Sequence, residues 1–150
     1  MFYSELVNKA IDLAYEAHNG QRDKTGRPYF VHVMHVAEQM DDEYSACAAL
    51  LHDTLEDTDI GLERLEREFP SEVVEAVKVL TKRRGESYSE YIEAVSRNPI
   101  ALKVKLADLE HNLDVTRLAG CSERLLYGYE RRKGKYEAAR KFLTETEGGR

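Results

Sequence analysis

Apolar positions recur at a helical period along almost the whole chain. After Ser4, residues Leu6, Ala10, Leu13, Ala14 and Ala17 return at intervals of three and four, predicting a first helix that Gly20 stops. The stretch Gly20–Tyr29 is polar, contains Gly20, Gly26 and Pro28, and reads as a loop made basic by Arg22, Lys24 and Arg27. Helical spacing resumes from Phe30 to about Met40, where Asp41-Asp42 closes that helix and can cap the next. Residues 43–56, rich in Ala and Leu, predict one continuous helix buried on most sides. A short helix around Leu62–Phe69 ends at Pro70, and Ser71 is the expected N-cap of a helix over Glu72–Lys82. Gly85 breaks the chain, Ser87 or Ser89 opens the next helix, and Asn98-Pro99 ends it; Ile100–Leu118 and Ser122–Leu143 complete the set. No sustained apolar alternation and no Asn-Gly hairpin occurs. The expected fold is all-α: a compact single helical domain over residues 1–150.

Composition narrows the function classes. The 150 residues suit one domain, and 42% hydrophobic positions suffice for a core. A net charge of −6 argues against a general nucleic-acid binder, because neutralising phosphates needs a basic excess. No stretch approaches the roughly 18 apolar residues of a membrane span, and the N-terminus lacks the apolar run of a signal peptide, so a cytoplasmic protein without membrane contact is expected. Cys47 and Cys121 form neither a disulfide framework nor a zinc knuckle. The charge is uneven: residues 1–75 hold 6 Lys/Arg against 17 Asp/Glu, a balance of −11, and residues 76–150 hold 16 against 11, a balance of +5.

The acid concentrates around His52-Asp53-Thr54-Leu55-Glu56-Asp57. On a continuous helix His52 and Glu56 would be neighbours at i, i+4, as would Asp53 and Asp57. Carboxylates crowded at a helix C-terminus repel one another and the helix dipole. A divalent cation resolves the conflict, with imidazole nitrogen and carboxylate oxygen as ligands and Glu56 and Asp57 left for acid/base work. Further ligands are needed. His32 or His35 on the second helix, and Asp108 late in an apolar run, are candidates; the plainer reading of Asp108 is a salt bridge to Lys105. His18 reads as a helix C-terminal residue facing the dipole.

The order His32, His52-Asp53, Asp108 resembles the signature of the HD superfamily of metal-dependent phosphohydrolases. The segments Ala17-His18-Asn19-Gly20-Gln21, Gly26-Arg27-Pro28-Tyr29-Phe30-Val31-His32, Ala48 to Thr58, Leu80-Thr81 and Val104 to Asp108 with Asn112 further resemble the hydrolase domain of the RelA/SpoT family and its small stand-alone relatives. The resemblance spans roughly residues 8–118. Residues 119–150 match no known pattern and read only as one or more helices.

That resemblance implies an HD-type helical domain holding one divalent ion, commonly manganese, between helices. It implies hydrolysis of guanosine tetra- or pentaphosphate, (p)ppGpp, at the 3′-pyrophosphate. By position the metal ligands would be His32 (preferred to His35 because it follows Pro-Tyr-x-x), His52, Asp53 and Asp108. Glu56 and Asp57 would be the acidic pair that orients and deprotonates water. Arg22, Lys24, Arg27, Tyr29 and Asn112 would contact the nucleotide. One departure bears on substrate: the family's Arg-Lys pair is Asp23-Lys24 here, an acid where a cation grips the nucleotide. It motivates a second expectation, an HD phosphatase acting on a nucleoside monophosphate or NADPH. A third is a non-catalytic regulatory module, which would have no use for Glu56 and Asp57. The run Arg131-Arg132-Lys133-Gly134-Lys135 reads as a solvated helix face.

Overall fold

The computed structural model describes residues 1–148; Gly149 and Arg150, the end of the stretch expected to be helical, lie outside the described residues. Among the described residues nine α-helices follow one another: α1 Glu5–Ala17, α2 Tyr29–Glu38, α3 Glu43–Leu51, α4 Thr54–Asp57, α5 Leu62–Glu68, α6 Ser71–Leu80, α7 Tyr88–Ser96, α8 Pro99–Leu113 and α9 Glu123–Gly148. A 3-10 turn, Val115–Leu118, joins the last two. Among the described residues the only β-type pairing is an isolated bridge between Arg22 and Pro28, which pinches the basic loop.

Helix α3 is the axis of the molecule. Every residue from Ser45 to Leu51 is buried, and α1, α2, α6 and α8 pack around it. The small residues Ala46, Cys47, Ala48 and Ala49 let those neighbours approach, while Leu50 and Leu51 fill the remaining space. Truncating such a leucine to Ala costs about 2–5 kcal/mol. Asp42 starts α3 as expected, its carboxylate accepting from Ser45 N–H at 2.8 Å. Ser4, Ser87 and Asn98 likewise cap α1, α7 and α8, Ser87 within a full capping box with Glu90.

Four boundaries differ from expectation. The helix read over 43–56 is interrupted at His52-Asp53. There His52 Nδ1 reaches the Ala49 carbonyl at 2.6 Å and Thr54 Oγ1 donates to the Leu51 carbonyl at 2.8 Å. Side chains thus take carbonyls that a continuing helix would have used. Pro70, not Ser71, precedes α6; Ser71 lies inside it and its hydroxyl turns to Glu72. The helix expected over Ile100–Leu118 stops at Leu113, because Asp114 turns extended and caps the 3-10 turn through Thr116. The final helix runs on to Gly148. It belongs to the same packed unit: Tyr129 donates to the Leu113 carbonyl at 3.0 Å, and Leu143 is fully buried.

Candidate metal centre

Three elements converge beside the end of α3. His32 comes from the middle of α2, His52 and Asp53 from the break between α3 and α4, and Asp108 from α8. Ligand atoms of His32, His52 and Asp53 lie within 4.8 Å of one another. Asp108 Oδ1 stands 2.9 Å from His32 Nε2 and 3.7 Å from His52 Nε2. His35, the other candidate on α2, is exposed and stacks on His111.

His52 decides what kind of site this is. Its Nδ1, at 2.6 Å from a carbonyl oxygen, must carry the ring proton. Its Nε2 is buried without a hydrogen-bond partner, although Asp53 Oδ2 lies 2.9 Å away. That contact has the distance of an ion pair but not the direction of a hydrogen bond. Burial disfavours a charge on the ring, yet Asp53 and Asp108 outweigh it and push the His52 pKa well above the usual histidine value. The spot therefore calls for positive charge at Nε2. Two imidazoles and two carboxylates are also the donor types that suit a divalent cation of intermediate softness.

The carboxylates are held ionised. Burial alone would raise Asp53, but His52 and the donating Tyr29 hydroxyl bring it down to about 2. Burial likewise opposes the charge on Asp108, and Lys105 overrides it from the other oxygen, Nζ to Oδ2 at 2.8 Å. The salt bridge and the cluster membership foreseen as alternatives for Asp108 thus coexist. Glu56 and Asp57, exposed on α4, have their pKa raised first by partial burial and then by neighbouring carboxylates. One ligand-competent oxygen from each of Asp53, Glu56 and Asp57 falls within a common 4.8 Å, so the acidic pair flanks the cluster.

Next to the cluster opens a cleft of 320 Å³ that shares Tyr29 and His32 with it. Of the expected nucleotide contacts, Arg22, Lys24, Tyr29 and Asn112 line this cleft. Asn112 also donates to Asp108 Oδ1 at 3.1 Å, and the Tyr29 hydroxyl is committed to Asp53. Arg27 is not among the residues lining the cleft; its Nη1 bonds Thr25 Oγ1 and the Arg117 carbonyl, bracing the loop. Asp23 is neutralised where it stands. Oδ1 accepts from Thr25 N–H, Thr25 Oγ1 and Arg27 N–H, and Oδ2 pairs with Arg117 at 3.1 Å. The acid in place of the family's cation is a loop organiser, and its pairing with Arg117 leaves that stretch of wall neutral, not acidic.

The HD domain family matches the chain over residues 10–114, which include His32, His52, Asp53 and Asp108. The chain belongs to the HD domain family. Among curated relatives, a guanosine-3′,5′-bis(diphosphate) 3′-pyrophosphohydrolase of Aquifex aeolicus is 34% identical over 123 residues, covering 74% of this chain and 18% of that protein. A GTP pyrophosphokinase of Streptomyces coelicolor is 36% identical over 124 residues, covering 74% and 15%. The chain therefore spans less than a fifth of the length of these relatives. A solved structure described as a metazoan ortholog of SpoT that hydrolyzes ppGpp superposes with a TM-score of 0.74 at 26% identity, covering 97% of this chain and 87% of that one.

Several residues of this HD domain do more than their sequence reading gave them. His18, read as a residue at the C-terminal end of the first helix, is the C-cap of α1; it is also buried, bonded through Nδ1 to Gln21 Oε1 at 2.8 Å and packed against Tyr29. Gln21 in turn donates to the Asp57 carbonyl at 2.8 Å, tying the loop to the acidic pair. Arg132, read as part of a solvated helix face, lines the cleft together with Tyr129 and Tyr136. Only a 3.6-residue register on α9 could have flagged Arg132 and Tyr136, four apart, as facing one way.

Proposed function

We propose that this HD domain is a metal-dependent phosphohydrolase that removes the 3′-pyrophosphate of (p)ppGpp, with manganese the expected ion and the cytoplasm the expected compartment. The observation that carries the reading is the buried, unpartnered Nε2 of His52, facing two carboxylates beside a cationic cleft. His32, His52, Asp53 and Asp108 would hold the ion. When bound, a divalent ion supplies Lewis acidity toward water and a phosphoryl oxygen. Tyr29 and Lys105 keep Asp53 and Asp108 oriented and ionised as ligands. Glu56 or Asp57 takes the proton of the attacking water, and a pKa above the ordinary carboxylate value makes either a better base at neutral pH. Arg22, Lys24 and Arg132 line the cleft and offset the charge of a polyphosphate, while Arg117 balances Asp23 in the same lining.

The relatives carry names for opposite reactions, and the neighbour matched along nearly its full length is the one described as hydrolysing ppGpp. The Asp23–Arg117 pair removes the repulsion that would have favoured another substrate. We read residues 1–150 as one domain, since α9 supplies part of the cleft wall. The test is hydrolysis with Mn²⁺ across a panel of ppGpp, nucleoside monophosphates and NADPH. The expected result is GDP and pyrophosphate from ppGpp, abolished in Asp53→Ala. Cleavage of another ester but not ppGpp overturns the substrate; metal binding without turnover of any member favours a regulatory module.

A further inference from the structure

His111 lies outside the proposed ligand set, yet its ring touches one member of that set directly. Its Nδ1 stands 2.7 Å from Nδ1 of His32, and both rings are buried, at 9% and 3% exposure. Two ring nitrogens at that distance share one proton, so one donates and the other accepts. A ligating His32 must present a bare Nε2 toward the cluster, and its proton then sits on Nδ1. His111 Nδ1 must therefore be bare, with its own proton on Nε2.

His35 stacks on one face of the His111 ring, at 3.9 Å between centroids and 16° between planes, while the His32 ring lies nearly parallel at 14° with centroids 5.0 Å apart, meeting it edge to edge through the two nitrogens. The main chain is fixed as well: the His111 carbonyl accepts from Arg117 Nη1 at 2.8 Å, and the same guanidinium pairs with Asp23. One residue at the end of α8 thus braces a ligand through its ring and the cleft wall through its carbonyl.

We propose that His111 is a positioning residue that fixes the tautomer and plane of His32 for metal ligation by accepting a hydrogen bond from its Nδ1. The proposal rests on the metal-site reading above. Metal ligands commonly donate their second ring N–H to a carboxylate or carbonyl; here the acceptor is a neutral imidazole.

Calorimetric titration of the full chain with Mn²⁺ compares wild type, His111→Asn and His111→Phe. The Asn amide oxygen can take the place of Nδ1, so His111→Asn should bind within about threefold of wild type. His111→Phe keeps the stack but loses the acceptor, and should bind about 10–100-fold more weakly. Nitrogen-15 NMR of wild-type histidines with Zn²⁺ as a diamagnetic probe needs no variant: His32 should carry its proton on Nδ1. Binding by His111→Phe as tight as wild type, or a bare Nδ1 on metal-loaded His32, overturns this proposal alone. Absence of metal binding by wild type overturns the metal reading and the proposal together.

Discussion

Lys105 offers the sharpest test of the charge balance at the cluster. Its Nζ lies 2.8 Å from Asp108 Oδ2, and the two side chains keep only 14% and 8% of their surface exposed. At an effective dielectric of about 20 the gross attraction is about 6 kcal/mol. Removing one partner of such a buried pair leaves a charge uncompensated and costs about 3–5 kcal/mol net. Lys105→Met preserves most of the apolar stem and removes the charge, together with its contact over the Tyr91 ring at 5.3 Å from the centroid. For a chain of this length each kcal/mol moves Tm by about 2–4 °C, so the variant should melt about 6–20 °C below wild type in EDTA. Saturating Mn²⁺ supplies a second positive charge to Asp108 and should narrow the gap. The gap should also depend on pH in a defined way. Lys105 is held above its ordinary pKa, so its contribution is full below about 10.5 and lost only as pH rises through the folded value. Asp108 is held below its ordinary value, so the same contribution vanishes as pH falls below about 4. Thermal unfolding across pH, with and without Mn²⁺, reads all of this. A variant within about 1 kcal/mol of wild type in EDTA at pH 7 would refute the account.

Glu56→Gln should lower kcat about 10²–10⁴-fold while calorimetry finds Mn²⁺ affinity unchanged, since it removes a proton acceptor and not a ligand. Asp23→Asn and Arg117→Ala should each raise KM, and a double-mutant cycle on urea stability should give a coupling of about 0.5–3 kcal/mol, because the two share one partly buried pair. Asp42→Ala removes the N-cap of α3 and should cost about 1 kcal/mol at pH 7. Burial works against the Asp42 charge, but Ser45 and Lys103 hold its pKa below the ordinary value; the loss should fade as pH falls below about 4, as seen in urea titrations at pH 7 and pH 3.

The helical period, the cap at Asp42, the helix start at Ser87 and the residue types of the cluster were legible because each is a local signal; Asn98, read as ending one helix, also caps the next. The interruption at His52-Asp53 was not. Leu51-His52-Asp53-Thr54 contains no Gly or Pro, and the helix ends because side chains bond the Ala49 and Leu51 carbonyls, a competition that propensity does not register. Roles that depend on where α9 crosses α8 were also hidden. Arg132 looks like any solvated arginine until Tyr129 is anchored on Leu113. Asp23 read as a charge reversal because its partner lies 94 residues away. Arg27 has the charge for a phosphate contact, and no local signal gives the bonds of its Nη1 to Thr25 and to the Arg117 carbonyl 90 residues away.

The burial of α3 sets two clocks within one site. His52 and Asp53 follow directly on seven consecutive buried residues, so their geometry cannot loosen without opening the centre of the molecule. Arg22 and Lys24 sit on a loop bounded by Gly20 and Gly26, both at positive φ, and tied down only at points: the Arg22–Pro28 bridge, the Asp23–Arg117 ion pair and the bonds of Gln21 and Arg27 to the Asp57 and Arg117 carbonyls. In native-state hydrogen exchange the amides of Leu50 and Leu51 should therefore exchange with global unfolding, and those of residues 22–27 through a shallower local opening. The His–Asp cluster should then keep its shape for as long as the protein stays folded, while the loop beside it opens on a shorter clock.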